Sequence, residues 1–182
     1  MRYLEDTELK IVSKTFLVGI LVGVIYGAVK FQNVEQFLGF ILPIFEDIIQ
    51  NNQDLKFLPL MLDILRNNLL AVALTIALGL IHRFLAQAVI MINGILLGVV
   101  FYATIFLLHQ PAQLWQILPH GVFEIPALLI SGALAIKLSS DSKGGTLGRF
   151  QVLAKAKHTL LIILVLLIIA AAIESSLIAT LV

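Results

Sequence analysis

The chain has no cysteine and little charge: Asp, Glu, Lys and Arg make up 13% of its 182 residues. Without thiols it forms no disulfide, no thiolate metal site and no cysteine nucleophile. A soluble domain carries about 25% charged residues, and half of that leaves too little polar surface to coat a globule. Clustered cations are missing as well. The formal net charge is +1, whereas phosphate backbones are gripped by concentrated basic faces, so nucleic acid is excluded as a partner. There is no Gly-rich phosphate loop and no Ser–His–Asp arrangement. Nothing marks an enzyme, and no cofactor is expected. The opening Met1–Lys10 is mixed in charge and lacks the short apolar core and small-residue cleavage site of a secretory signal.

What the chain has in abundance is apolar residues, 60% of the total. Lipid is the natural solvent for such a surface. A helix needs about 20 apolar residues to cross about 30 Å of hydrocarbon, and five stretches come close: 13–31, 67–82, 84–108, 117–138 and 158–182. The run 84–108 holds no charge, the fourth stretch holds Glu124 and the fifth Glu174. The expected architecture is an all-α transmembrane bundle of about five spans, forming one membrane domain over 1–182.

Segment 32–66 differs in character. Phe37, Leu38, Ile41, Ile44, Phe45, Ile48 and Ile49 share one helical face, Glu35, Glu46 and Asp47 mark the polar side, and Pro43 suggests a bend. Phe57–Leu65 reads as a second short helix. Such amphipathic pieces lie in the membrane interface or fold over the bundle.

Lys and Arg set the orientation. With the N-terminus in the cytoplasm, the inner side carries Arg2, Lys10, Lys14, Arg83, Lys137, Lys143, Arg149, Lys155 and Lys157. The outer side carries only Lys30, Lys56 and Arg66. This bias predicts N-terminus in and C-terminus out. Residues 139–157 then form a small, polar cytoplasmic connector, in which Arg149, Lys155 and Lys157 suit anionic lipid headgroups.

Gly19, Gly23 and Gly27 recur every four residues in the first span, and Gly94 and Gly98 do so in the third. Such stripes let two helix backbones approach closely, either inside one protomer or across a homodimer seam. Asn67 and Asn68 are read as caps opening the second span. Asn93, deeper in the third, calls for a partner across the bundle.

The densest polar constellation is Leu118-Pro-His-Gly-Val-Phe-Glu-Ile-Pro-Ala127, taken with Glu174. Pro119 fits a first helical turn, while Pro126 inside the same span implies a bend or a re-entrant piece. His120 and Glu124 are four apart and share a face. Counting 1.5 Å per residue puts Glu124 and Glu174 at similar depth in the outer leaflet. A membrane carboxylate is paired, protonated or wet. His120, Glu124 and Glu174 therefore form a hydrogen-bonded cluster, a proton or solute pathway, or a metal site of one imidazole and two carboxylates. His82, His109 and His158 fall at span ends, and Trp115, Tyr102 and Tyr26 are candidate interface anchors.

At Pro119-His-Gly-Val-Phe-Glu-Ile-Pro-Ala127 the chain resembles the stage II sporulation protein M family. Asn67-Asn68, Asn93-Gly94 with Gly98, and Ala172-Ile-Glu174 follow in the family's order. The family often has Thr-Pro after the last-span Glu, whereas this chain has Ile178-Ala-Thr-Leu181. The resemblance implies five spans and membership of a membrane complex, the namesake being a scaffold for two cell-wall hydrolases. The expected partners are thus the lipid bilayer, other membrane or cell-envelope proteins and a second copy of the chain. The leading functional reading is a non-enzymatic membrane scaffold, and the alternative is a transporter or permease-like subunit.

Overall fold

The computed structural model describes residues 6–40, 57–109, 111, 114–140, 151 and 153–181, with side chains for all of these except 114–120 and 179–181. Much of the amphipathic segment (41–56), most of the polar connector (141–150) and the Trp115 and His120 side chains lie outside the described residues.

Lipid supplies no hydrogen-bond partners, so each crossing segment must satisfy its backbone internally. The described chain is accordingly helical and holds no strand. Its elements are α1 (Asp6–Lys30), α2 (34–40), α3 (Phe57–Ile81), α4 (Arg83–Tyr102), α5 (Leu114–Ser140), a short turn α6 (153–155) and α7 (Lys157–Leu181). A π-helical turn, Ala103–Leu107, prolongs α4, and His109 at φ 52° turns the chain away from it. Five helices are long and apolar enough to cross a membrane: α1, α3, α4 with its π turn, α5 and α7.

Local chemistry sets several ends. Asn33 Oδ1 accepts from the Gln36 backbone N–H (3.0 Å), and Gln36 Oε1 accepts from the Gln32 backbone N–H (3.0 Å), a reciprocal cap that opens α2. His82, in extended conformation, breaks α3 from α4. Its Nδ1 accepts the Phe84 N–H at 3.3 Å.

The second span differs from the sequence reading. It begins at Phe57, not at residue 67, and Phe57–Leu65 forms its first turns, not a separate interfacial helix. Leu60, Ile64, Val72, Thr75 and Gly79 are buried along one stripe. Leu60 and Ile64 pack with Ala171 of α7, which carries the helix past its polar residues. Asn67 and Asn68 therefore sit mid-helix and cap nothing. α5 runs unbroken through Pro126, so of the two expectations there, a bend or a re-entrant piece, the re-entrant piece is excluded. The carbonyl that Pro126 leaves unpaired, four residues back, belongs to Val122, whose side chain is 61% exposed.

α5 is the hub, packing against α1, α3, α4 and α7. A helix surrounded on four sides needs small residues, and its buried stretch supplies Ala127, Ser131, Gly132, Ala133 and Ala135. A Cβ on Gly132 would stand 2.9 Å from both Ile90 Cδ1 and Val12 Cγ1.

Contacts fix the helix directions. Gly79 meets Ala135, and the Arg83 N–H donates to Ser139 Oγ at 3.1 Å. Both pairs are 56 residues apart, so α3 and α5 run parallel. Leu138 and Leu134 pack with Ala156 and Leu160, while Ile130 and Ala127 pack with Ile163 and Leu167. α5 and α7 are therefore antiparallel. At the N-terminal end of α1, Glu8 meets Lys137 near the end of α5 at 3.8 Å. Lys10, Lys14, Arg83, Lys137, Lys155 and Lys157 all gather at this basic end of the bundle, and Lys30 lies at the far end.

This arrangement makes a clean labelling prediction, because the chain contains no native cysteine. Gly39 and Ser140 are exposed at opposite ends. Single cysteines there should react with a membrane-impermeant thiol reagent from opposite faces, the Ser140 position from the cytoplasmic one. Reaction of both from one face would refute the arrangement.

Candidate functional site

Two features arise where the helices meet. The first is a glycine seam. α1 and α4 are parallel, with Gly19 against Gly94 and Met91, Gly23 against Ile95, and Gly98 against Ile20. A Cβ on Gly19 would approach the Met91 carbonyl oxygen to 2.5 Å, and one on Gly27 would meet the Tyr102 ring. The five glycines read from the sequence thus all line the α1–α4 contact within one protomer.

The second is a polar layer shared by α3, α5 and α7 in the far half of the bundle. The 56-residue offset between α3 and α5 puts Asn68 level with Glu124. The antiparallel alignment of α5 with α7 puts Glu124 level with Ala170, and Glu174 level with the backbone of His120. The two acids are therefore one helical turn apart in depth, where similar depth was expected. Glu174 continues the stripe Ile163, Leu167, Ala170, the first two of which pack with Ala127 on the stripe of Glu124. Helical Cβ atoms tilt toward their own N-terminus. On antiparallel helices this leans Glu124 outward and Glu174 inward, closing the gap between them.

Partners differ around the layer. Glu124 is engaged in a polar interaction, as is Asp63 on α3. Asn68 Nδ2 is buried and has no hydrogen-bond partner among the described residues. Ser131 and Ser175 donate to carbonyls of their own helices, Leu128 O (2.7 Å) and Ala172 O (3.2 Å). Asn93 does likewise, Nδ2 donating to Val89 O at 2.9 Å, where a partner across the bundle was expected. Among the described residues no three of His, Asp and Glu converge as a metal site.

Asp63 lies between one and two turns outward of Asn68 on α3, in the stretch expected to form a separate short helix, and Arg66, expected between that helix and the second span, is also part of α3. The signal that would have found them is the four-residue spacing of Leu60, Ile64, Asn68 and Val72. Arg66 and Asn67 are exposed on the outer surface of α3.

A five-span bundle centred on a small-residue hub, zipped by glycines and carrying a polar layer within its spans, defines a multi-pass helical membrane protein. Within that class the chain belongs to the stage II sporulation protein M family, whose family model matches residues 11–177. Comparison with curated proteins and with solved structures gives no match.

Proposed function

We propose that the protein is a non-enzymatic scaffold of the cell membrane, with its basic end in the cytoplasm, which holds partner membrane or cell-envelope proteins in a complex. The observation that carries this reading is the exposure of Asn67 beside Arg66 on α3. Counting about 20 residues of hydrocarbon outward from Ile81 reaches roughly residue 62, which leaves Asn67 about 7 Å inside at 1.5 Å per residue. Arg66 reaches the headgroups by extending its long side chain. The short Asn67 amide cannot, and facing lipid it has only a carbonyl of its own helix or a polar group on a neighbouring helix to bond to, of which the second makes this face a docking surface. Family membership supports a role in a membrane complex. A second copy of the chain is one such partner, and it would use this face, since the glycine seam is occupied internally.

The test is pull-down from the native membrane combined with photo-crosslinking from position 67. Asn67→Leu is expected to release a partner that the unaltered chain retains, with the melting midpoint unchanged. Crosslinks to lipid alone, with co-purification unaffected by Asn67→Leu, would rule the reading out.

A second reading, a transporter or permease-like subunit passing a proton, solute or metal ion, rests on the buried Asn68 amide beside Glu124 and Glu174. It makes a different prediction at Glu124, developed below.

A further inference from the structure

We infer that the basic end of the bundle holds an anionic phospholipid headgroup at one corner, where the α3–α4 turn, the end of α5 and the start of α7 meet. Three separate parts of the chain are brought together there. The Arg83 backbone N–H is tied to Ser139 Oγ at 3.1 Å. Ala156, fully buried, packs with Leu134 and Leu138 of α5 and Leu80 of α3, pinning the start of α7 beneath that turn. Lys155 and Lys157 flank Ala156 in sequence, so each emerges to one side of the buried contact, and both are exposed. The Arg83 guanidinium lies 5.1 Å from the Phe84 ring centroid, which holds it at the rim of the bundle.

Opposite charge does not reach this corner from the described residues. At the basic end the described acids are Asp6 and Glu8, both on α1, and Glu8 pairs with Lys137 at 3.8 Å. Arg83, Lys155 and Lys157 thus concentrate positive charge at the depth where phosphates of the adjoining leaflet lie. Guanidinium donors in a fixed fork match phosphate oxygens, and basic pockets between spans at this interface suit anionic headgroups. A general excess of inner-side cations serves orientation alone. What distinguishes the corner is convergence from three elements, whereas Lys10 and Lys14 stand exposed along one helix.

The experiment uses the full chain in nanodiscs of phosphatidylcholine with a minority of phosphatidylglycerol, reading retained lipid by native mass spectrometry. The unaltered protein should retain phosphatidylglycerol in preference to phosphatidylcholine. Arg83→Ala with Lys157→Ala should cut that preference roughly tenfold or more, at about a tenfold change per 1.4 kcal/mol and about 1 kcal/mol per cation. Lys10→Ala with Lys14→Ala removes the same charge from the same end and should leave the preference intact. Equal loss in both pairs would overturn the corner in favour of diffuse surface charge. All four side chains are exposed, and the melting midpoint in neutral nanodiscs checks that each variant folds. Soluble glycerol phosphate is the control for the shared chemistry. Displacement of the retained lipid by millimolar glycerol phosphate would overturn the lipid as the occupant, and failure to displace it supports the lipid.

Discussion

Gly23→Leu is expected to abolish recovery of folded, monodisperse protein from detergent. A Cβ at that position would come within 2.8 Å of the Ile95 carbonyl carbon and 2.9 Å of Ile95 Cα. Those are backbone atoms of the facing helix and cannot rotate aside as a side-chain tip would. Overpacking a core costs about 1–3 kcal/mol where side chains can shift, so a leucine pressed on backbone should cost about 3 kcal/mol or more. Because the seam joins α1 to α4 of one chain, folding should fail without a preceding change in oligomer size. Gly98→Leu should behave alike, its Cβ meeting the Ile20 backbone. Gly121→Ala supplies the contrast: its nearest neighbour is Ile125 Cδ1 at 3.5 Å, ordinary contact, and its melting midpoint should barely move. A normal midpoint for Gly23→Leu in a thermal-unfolding scan would mean the parallel seam is misplaced.

Glu124→Leu should destabilise the bundle by about 1–3 kcal/mol, the cost of leaving a buried polar partner unpaired. Glu124 is half-buried, has a polar partner and sits on the hub helix, so the loss falls where four other helices depend on α5. Glu124→Gln tells the two functional readings apart. In a scaffold the amide replaces a protonated carboxyl as donor and acceptor, and both stability and complex formation should persist. In a proton-coupled transporter the same change folds normally but stops flux, because an amide carries no titrating proton. If the layer holds a metal ion, Glu124→Gln and Glu174→Gln should each lower metal content by elemental analysis. Asn68→Leu should be neutral or mildly stabilising, since the buried Nδ2 donor it removes has no hydrogen-bond partner among the described residues to strand. Equal losses from Glu124→Leu and Glu124→Gln in reconstituted melting experiments would mean that the carboxylate itself, not its hydrogen bonding, holds the layer.

Much of the fold could be read from hydropathy, because lipid imposes one requirement on every crossing segment. The break at His82 was legible from the polar pair between two apolar runs, and the glycine stripes from their spacing. Windowed hydropathy failed at α3. Asp63, Arg66, Asn67 and Asn68 depress the local average, yet Leu60 and Ile64 keep the buried stripe running beneath them. Asn93 was misread for another reason: an amide in a helix can satisfy itself on the carbonyl one turn back, a local escape that needs no second helix. Pro126 alone leaves a bend and a re-entrant piece equally open, and it is the packing of the hub on four other helices that carries α5 unbroken through it. The relation between Glu124 and Glu174 was beyond the sequence altogether. Depth counted from the end of each helix depends on where that end lies, whereas the paired contacts of α5 and α7 set their levels directly and separate the acids by one turn.

The parallel seam between α1 and α4 also constrains how the chain is made. Gly19 must wait for Gly94, 75 residues later in the sequence, and a whole span of opposite direction is threaded in between. At synthesis rates of about 5–20 residues per second, the first helix spends roughly 4–15 seconds in the bilayer with its glycine groove unfilled. During that interval the groove is open to whatever helix passes, whether an insertion factor or the α1 of a neighbouring nascent chain. The seam that makes the finished bundle compact is therefore its most exposed element at birth, and slowing translation between α1 and α4 is the perturbation to which its biogenesis should be most sensitive.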